Sequence, residues 1–155
     1  MSKLALVALV IVLTAAALTA LMFYRVAKSV PPAEFGRGTA VQACPIDKPN
    51  CVSSRNVEAD FSVPAFVVTG TPDQMLGKLK AAILAEPRAT IVFEDASHID
   101  ASFRSAFFGF TDDASFELDA ATGTIHFRSK SRVGYSDLQV NAKRMDRIRA
   151  ALRAN

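Results

Sequence analysis

The chain has 155 residues, half of them hydrophobic, with 18 Lys plus Arg against 15 Asp plus Glu and a net charge of +3 at pH 7. Lys3, Arg25 and Lys28 all precede residue 29, so beyond them acids and bases balance, and the basic excess does not indicate a nucleic-acid binder. The length beyond residue 28 suffices for one domain with a single core, without repeats or low-complexity tracts.

Residues 4–24 contain no charge. At about 1.5 Å rise per helical residue the run spans roughly 30 Å, the thickness of a bilayer hydrocarbon core, and predicts a transmembrane helix. The rival is a cleaved signal peptide, for which Ala17-Leu18-Thr19-Ala20 offers small residues. The apolar core of such a peptide runs only about 7 to 15 residues, whereas this one continues through Leu21-Met22-Phe23-Tyr24, so retention as an anchor is expected. Residues 1–28 are read as the anchor, 29–55 as a Pro-rich linker and 56–155 as the folded domain. Val41-Gln42-Ala43-Cys44 resembles a lipoprotein cleavage box, but Arg25, Lys28, Pro31, Pro32, Glu34 and Arg37 separate it from the apolar run, and lipidation of Cys44 is not expected.

Positive charges flank both ends of the anchor, so the positive-inside bias nearly cancels. Cys44 and Cys51 decide the orientation. They are the only two cysteines, they lie near the membrane, and an even count in an exported domain favours a disulfide. The expectation is therefore an inner-membrane anchor with the domain in the periplasm. Closing so short a ring stabilises by roughly 2.5 kcal/mol in the chain-entropy picture. Two free thiols in a cytosolic linker are the alternative. A metal site would need His98 and His126 to converge on the same point, and no metal or other cofactor is expected.

Residues 29–55 hold four of the seven prolines and read as irregular. Val57, Ala59 and Phe61, then Phe66 and Val68, alternate in short segments interrupted by Pro64, which suits an edge strand. Thr71-Pro72-Asp73-Gln74 supplies an N-cap, a proline at the first helical position and a capping-box glutamine. Met75, Leu76, Leu79 and Ile83 then share one face of a helix over 72–86 that Pro87 ends. Strands are predicted over 89–94, 101–110, 116–119 and 124–132. If Thr122-Gly123 forms a two-residue turn, the last two strands pair Leu118 with Phe127, Phe116 with Ser129, Asp119 with His126, Glu117 with Arg128 and Asp113 with Arg132, a charge ladder on one face. Asn141 is read as the cap of a final helix over 142–152, with Met145, Ile148 and Leu152 on one stripe. Its Lys143, Arg144, Arg147, Arg149 and Arg153 read as a solvated face or, alternatively, as a surface attracted to anionic headgroups. Residues 86–119 are mainly acidic and 128–153 mainly basic, so the two regions are expected to face each other.

Three blocks are similar to the bacterial and plastid family catalogued as domain of unknown function 1499. They are Cys44-Pro45 with Lys48-Pro49-Asn50-Cys51-Val52-Ser53-Ser54, the corner Phe110-Thr111-Asp112-Asp113, and the run from Arg128 to Asp137 followed by Val140-Asn141 and Lys143-Arg144. The resemblance covers nearly all of residues 44–150. It implies an exported or membrane-anchored domain of undetermined activity. The chain departs from the pattern at Gln139 and Ala142, where the family usually has Gly and Arg. Gln139 argues against a tight positive-φ turn, and Ala142 removes one cationic donor.

The run from Arg128 to Asn141 is the stretch least explained by packing. Its serines, with Asp112, Asp113, Asp137 and His126, include the residue types of a nucleophile, base and orienting acid. The glycine spacing of a nucleophile elbow is missing, His126 is expected on the face opposite Ser129, and there is no HExxH, P-loop or dinucleotide fingerprint. A hydrolase using this motif is therefore only an alternative. The favoured reading is a non-catalytic module in which Arg128, Ser129, Ser131, Arg132, Tyr135, Ser136, Asp137 and Asn141 bind an anionic small molecule, a lipid headgroup or a protein partner by charge-assisted hydrogen bonds. Against it stands a structural ion network through Asp112, Asp113, Asp137, Arg128 and Arg132. Full burial with internal pairing would mark a network, and an open pocket with unpaired guanidinium groups a ligand site. A further alternative is an accessory subunit of a larger membrane complex. The expected architecture is α+β: a four- or five-stranded, mainly antiparallel sheet with two helices on one face, preceded by one transmembrane helix.

Overall fold

Twenty-five residues without glycine or proline form α1, Lys3–Ala27, with Ser2 as its N-cap accepting the Ala5 N–H. A computed structural model of the chain describes residues 2–56 and 63–154; the expected alternation at Val57, Ala59 and Phe61 falls outside them. The helix is long and apolar enough to cross a membrane, with a mean hydropathy of 2.7 over its most apolar window. Its two threonine hydroxyls are satisfied within the helix, Thr14 donating to Val10 O and Thr19 to Ala15 O, both at 2.8 Å.

The rest is α+β. The further elements are β1 (Cys51–Ser53), β2 (Phe66–Val67), α2 (Pro72–Leu84), β3 (Ala89–Glu94), β4 (His98–Arg104), β5 (Thr111–Asp119), β6 (Thr124–Ser131) and α3 (Val140–Ala154). The sheet is antiparallel and has six strands in the order β1-β6-β5-β4-β3, with β2 also on β6. The two shortest strands both lie on the outer edge of β6: β2 where an edge strand is expected, and β1 inside the segment expected to be an irregular linker. β1 pairs with residues 128–130 and β2 with Ile125 and Thr124. Between them Ser54 N donates to Phe127 O at 2.9 Å and Ser54 Oγ accepts Phe127 N–H at 2.9 Å, so the edge is closed to other chains.

The capping box of α2 forms as its sequence indicates, Thr71 and Gln74 exchanging hydrogen bonds at 2.9 and 3.4 Å. α2 and α3 cover one face of the sheet, burying Leu79, Ile83, Met145 and Ile148 against Ile99, Phe116 and Phe127. Phe66 of the edge strand stacks on Phe127 at 4.6 Å between ring centroids. Each such side chain contributes roughly 1.5–3 kcal/mol through removal of its apolar surface from water.

Three expectations about the strands are corrected. The strand expected over 101–110 is His98–Arg104, because the chain reverses at once afterwards: Ser105 N donates to Phe110 O at 2.8 Å, and Phe110 N donates to Ser105 Oγ at 3.0 Å. Phe107 and Phe108 are thus loop residues, and Phe107 is 90% exposed. β5 begins at Thr111 rather than at 116, with Asp112 and Asp113 inside the strand instead of forming a turn. The β5–β6 connection is four residues rather than two, so Phe116 faces Phe127, Glu117 faces His126 and Asp113 faces Lys130. Every expected pair is displaced by two residues in register, which keeps each side chain on its expected face; of the expected ladder the Asp113–Arg132 ion pair still forms, reaching diagonally across the strands. Gly123 requires its freedom here: its φ is +67°, and a Cβ would lie 2.8 Å from Val68 O.

The opposite face of the sheet is crossed by the segment between α1 and β1. That segment contains no helix or strand, yet it is fastened by its backbone. Gly36 N–H donates to Asp100 Oδ2 at 2.8 Å and Val41 N–H to Glu117 Oε2 at 3.0 Å, and Phe35 is buried between. Arg128 reaches Glu34 at 3.3 Å, and Ser53 donates to Gln42 O. Cys44 and Cys51 stand at disulfide-bonding distance, their Cα atoms 5.8 Å apart, which closes the strap onto β1.

Burial opposes ionisation of Glu117, but the Val41 N–H and the Arg55 guanidinium outweigh it and hold the carboxyl below its ordinary value. Burial, then nearby Arg55, lowers the His126 imidazole. Groups whose pKa is depressed by folding stabilise the protein above their unfolded values and lose that contribution as pH falls through the folded ones. Thermal stability should therefore hold near neutrality, decline below about pH 6.5 as His126 is forced to ionise, and decline further below about pH 4.3 as Glu117 is protonated. Melting curves of wild type and Glu117→Gln between pH 3 and 8, roughly the titration range of these groups, check this; identical acid limbs for the two would refute the Glu117 contribution.

Candidate functional site

At its C-terminal end β6 is polar on both faces, and the two faces hold separate networks. On the helix-covered face lie Ser129 and Ser131, both buried. Ser129 donates to Asn141 Oδ1 and Ser131 to Asp112 Oδ1 at 2.6 Å. Arg144 completes the group, donating to Asp112 Oδ2 at 2.7 Å and to Asn141 Oδ1 at 2.8 Å, with its guanidinium 4.4 Å above the Phe103 ring. Asn141 Nδ2 donates to Asp137 Oδ2 at 2.8 Å and to Ser131 Oγ at 3.2 Å. Asn50 ties in the β1 edge: its carbonyl accepts Ser131 N–H and its amide donates to Gly134 O at 2.9 Å.

On the strap-covered face Arg132 grips Asp113 with two nitrogens, each at 2.8 Å, while Ser102 donates to Asp113 Oδ1 at 2.8 Å. The hydrogen bonds and charge of Asp113 raise the Arg132 pKa further, so this cation stays protonated.

Asp137, not Asn141, caps α3. Its carboxylate accepts Gln139 N–H at 3.0 Å and Asn141 N–H at 2.9 Å, which frees the Asn141 side chain to point into the sheet. The turn that feeds the helix does use positive φ, at Leu138 (54°) and Gln139 (65°), contrary to the expectation from Gln139. Asp137 stabilises this turn by accepting the Gln139 and Asn141 amides.

The residues singled out from the sequence thus divide. Ser129, Ser131, Asp137 and Asn141 come together in one buried cluster with Asp112. Arg132 joins Asp113 on the other face, and Arg128 goes to Glu34. Tyr135 is exposed, and Ser136 Oγ accepts only Leu138 N–H. His126 lies on the face opposite Ser129, beside Ser54 at 3.2 Å, while His98 lies beside Ser97 at 2.8 Å. Arg144, Asn50, Ser102 and Glu34 were missed. Arg144 follows Asn141 by three residues and so shares its helix face, a signal that was available. The expectation of a solvated basic face on α3 is corrected for Arg144, which is buried, and for half-buried Arg149, which donates to Pro64 O and Ala65 O over the Phe66 ring; Arg147 stays exposed while it chelates Glu86.

The other polar end-loop surface adjoins the apolar helix. β4 and β6 both finish at the edge of the sheet nearest α1, so the loops 105–110 and 132–139 stand against its last turns. Phe108 lies 6.4 Å from Phe23 between ring centroids, and Phe110, Val133 and Gly134 share a cavity of about 320 Å³ with Leu18, Leu21, Met22 and Arg25.

Fold and site together define an α+β domain with a disulfide-distance cysteine pair and an N-terminal helix able to serve as a membrane anchor. Within that class, the chain belongs to the family described as Protein of unknown function (DUF1499), which matches residues 40–152. No curated protein and no solved structure matches it.

Truncating Asp112 leaves the Arg144 guanidinium buried without its anion, which costs about 3–5 kcal/mol in comparable settings. Asp112→Ala should therefore lower the unfolding free energy by about that amount, and Asp112→Ala combined with Arg144→Met should recover most of the loss. Denaturant titrations of the two variants decide; a loss below about 1 kcal/mol for Asp112→Ala would mean the cluster is not a buried ion network.

Proposed function

We propose that this chain is a single-pass, membrane-anchored, non-catalytic module whose domain rests on its own bilayer and holds an anionic group there. The observation that carries the reading is the continuity between α1 and the two end loops. Phe108 and Phe110 meet the helix along a stretch that reaches back to Leu18, seven residues before Arg25, which corresponds to about 10 Å of helix. With α1 inserted as far as Arg25, the tips of these loops stand at the headgroup level, where exposed Phe107, Tyr135 and Leu138 find an apolar and interfacial solvent.

Support for a non-catalytic role comes from how the hydroxyls are used. Ser129 and Ser131 donate to Asn141 and Asp112, and the two serines beside histidines are also committed, Ser54 to the Phe127 backbone and Ser97 to an Asp95 turn. In this reading the polar cluster at the end of β6 is structural. It shapes loop 132–139, and the contact surface is the loop rim beside the anchor. The paired cysteines support an oxidising compartment, the periplasm, for the domain and the inner membrane for the anchor.

The chain contains no tryptophan, so single substitutions report depth cleanly. In vesicles with brominated acyl chains, Leu13→Trp and Phe107→Trp should both be quenched, the latter most by bromines near the headgroups. Val67→Trp, at the opposite end of the sheet, should emit as if in water. Water-like emission from Phe107→Trp alongside a quenched Leu13→Trp would detach the domain from the surface, and two unquenched probes would reject the anchor.

A further inference from the structure

We propose that the groove between the end of α1 and the β4–β5 loop binds one anionic phospholipid, its phosphate held by Arg88 and Arg104 and an acyl chain laid along Phe23 and Phe108. This site deepens the membrane-surface reading and rests on it. The groove has a volume of about 620 Å³, and among the described residues no carboxylate lines it. Three arginines do: Arg88, Arg104 and Arg132. Arg132 has Asp113 as its counter-ion, but two further guanidinium groups beside it without a carboxylate are unfavourable unless an anion is present.

The three are not equivalent. Arg132 is already committed to Asp113 through two of its nitrogens. Arg88 and Arg104 have no ion pair among the described residues. Arg88 donates only its Nε, to Arg104 O at 2.8 Å, which leaves both terminal nitrogens for a ligand. It also adopts φ +54°, a left-handed conformation uncommon for a residue with a side chain and often found where a chain must present a functional group. The Arg104 guanidinium lies against Gly109, where a built Cβ would stand 3.0 Å from its Nη2, so the absence of a side chain there makes room for it. Two guanidinium groups with free planar forks suit a phosphate.

The walls select a lipid over a free anion. Phe23 and Val26 of the apolar helix and Phe107 and Phe108 of the loop line the same groove as the arginines, so headgroup and chain contacts are contiguous with the anchor. With no acid to accept an ammonium, a zwitterionic headgroup leaves its positive end unpaired. Net negative phospholipids are therefore favoured over phosphatidylcholine.

The full chain, reconstituted in phosphatidylcholine nanodiscs with a minor fraction of phosphatidylglycerol and released gently, is weighed by native mass spectrometry. One retained phosphatidylglycerol per chain is expected. Arg88→Gln with Arg104→Gln should reduce that retention at least about tenfold, since each charge-assisted hydrogen bond lost is worth a factor of that order. Lys143→Gln on α3 should leave it unchanged. Should the double variant fail to fold, Arg104→Gln alone gives the readout, because that side chain makes no ion pair. Inorganic phosphate should not displace the lipid; displacement would assign a free-anion site instead. No retained lipid, equal retention by the arginine variants, or preference for phosphatidylcholine would each overturn the proposal. A quenched Phe107→Trp with no lipid retained defeats this site alone, whereas failure of the depth measurement removes the membrane reading as well.

Discussion

The pairing of Asp112 with Arg144 is the interaction on which the domain's arrangement depends. Neither charge is exposed enough to be hydrated well, so each requires the other; Ser131 donates to the second carboxylate oxygen and Asn141 accepts from the second terminal nitrogen. The consequence is a fixed relation between β5, β6 and α3. Apolar packing of Met145 and Ile148 would hold α3 on the sheet but would tolerate small slides along it. A hydrogen-bonded guanidinium tolerates very little, and Asp137 and Asn50 extend the same constraint to the turn before α3 and to the β1 edge.

β6 is accordingly the strand around which everything else is placed. Its first half is apolar and builds the core through Ile125 and Phe127. Its second half is polar and distributes Ser129 and Ser131 to one face, Arg128 and Lys130 to the other. Both edges of the strand are filled, one by β5 and one by β1, Ser54 and β2 in succession. The strap completes the second face with backbone amides placed on Asp100 and Glu117, so carboxylates that would otherwise be exposed on a bare sheet become its fastening points.

Much of this architecture was legible in the residues. Thr71, Pro72 and Gln74 mark the start of α2 because capping is local chemistry, and residues 89–94 read correctly as a strand bounded by Pro87 and Asp95. Errors arose where long-range partners overrule local preference. Asp112 and Asp113 look like turn formers until Arg144 and Arg132, distant in sequence, neutralise them within a strand. Phe107 and Phe108 look like strand residues because alternation is counted without knowing what covers them; they are the tip of a loop beside α1. The two-residue slip in the β5–β6 register came from reading Thr122-Gly123 as the whole turn, when Gly123 instead makes room for Val68 O of the neighbouring segment. The clustering of Ser129, Ser131 and Asn141 could be suspected from composition, but the inward position of Arg144 could not be separated from its solvated neighbours by charge alone.

The strap also sets a leash length. Only eight residue steps separate Lys28, just past α1, from Gly36, where the backbone of the strap is first bonded to the sheet. Fully stretched, that interval covers at most about 28 Å. Should the end loops let go of α1, the sheet still cannot travel farther than about 28 Å, roughly the thickness of a bilayer hydrocarbon core, and re-engagement is an intramolecular event. For so short a connection the local concentration of one partner around the other reaches about the millimolar range. On the membrane-surface reading proposed above, contacts between loop rim and leaflet therefore need only modest intrinsic affinity to be occupied most of the time.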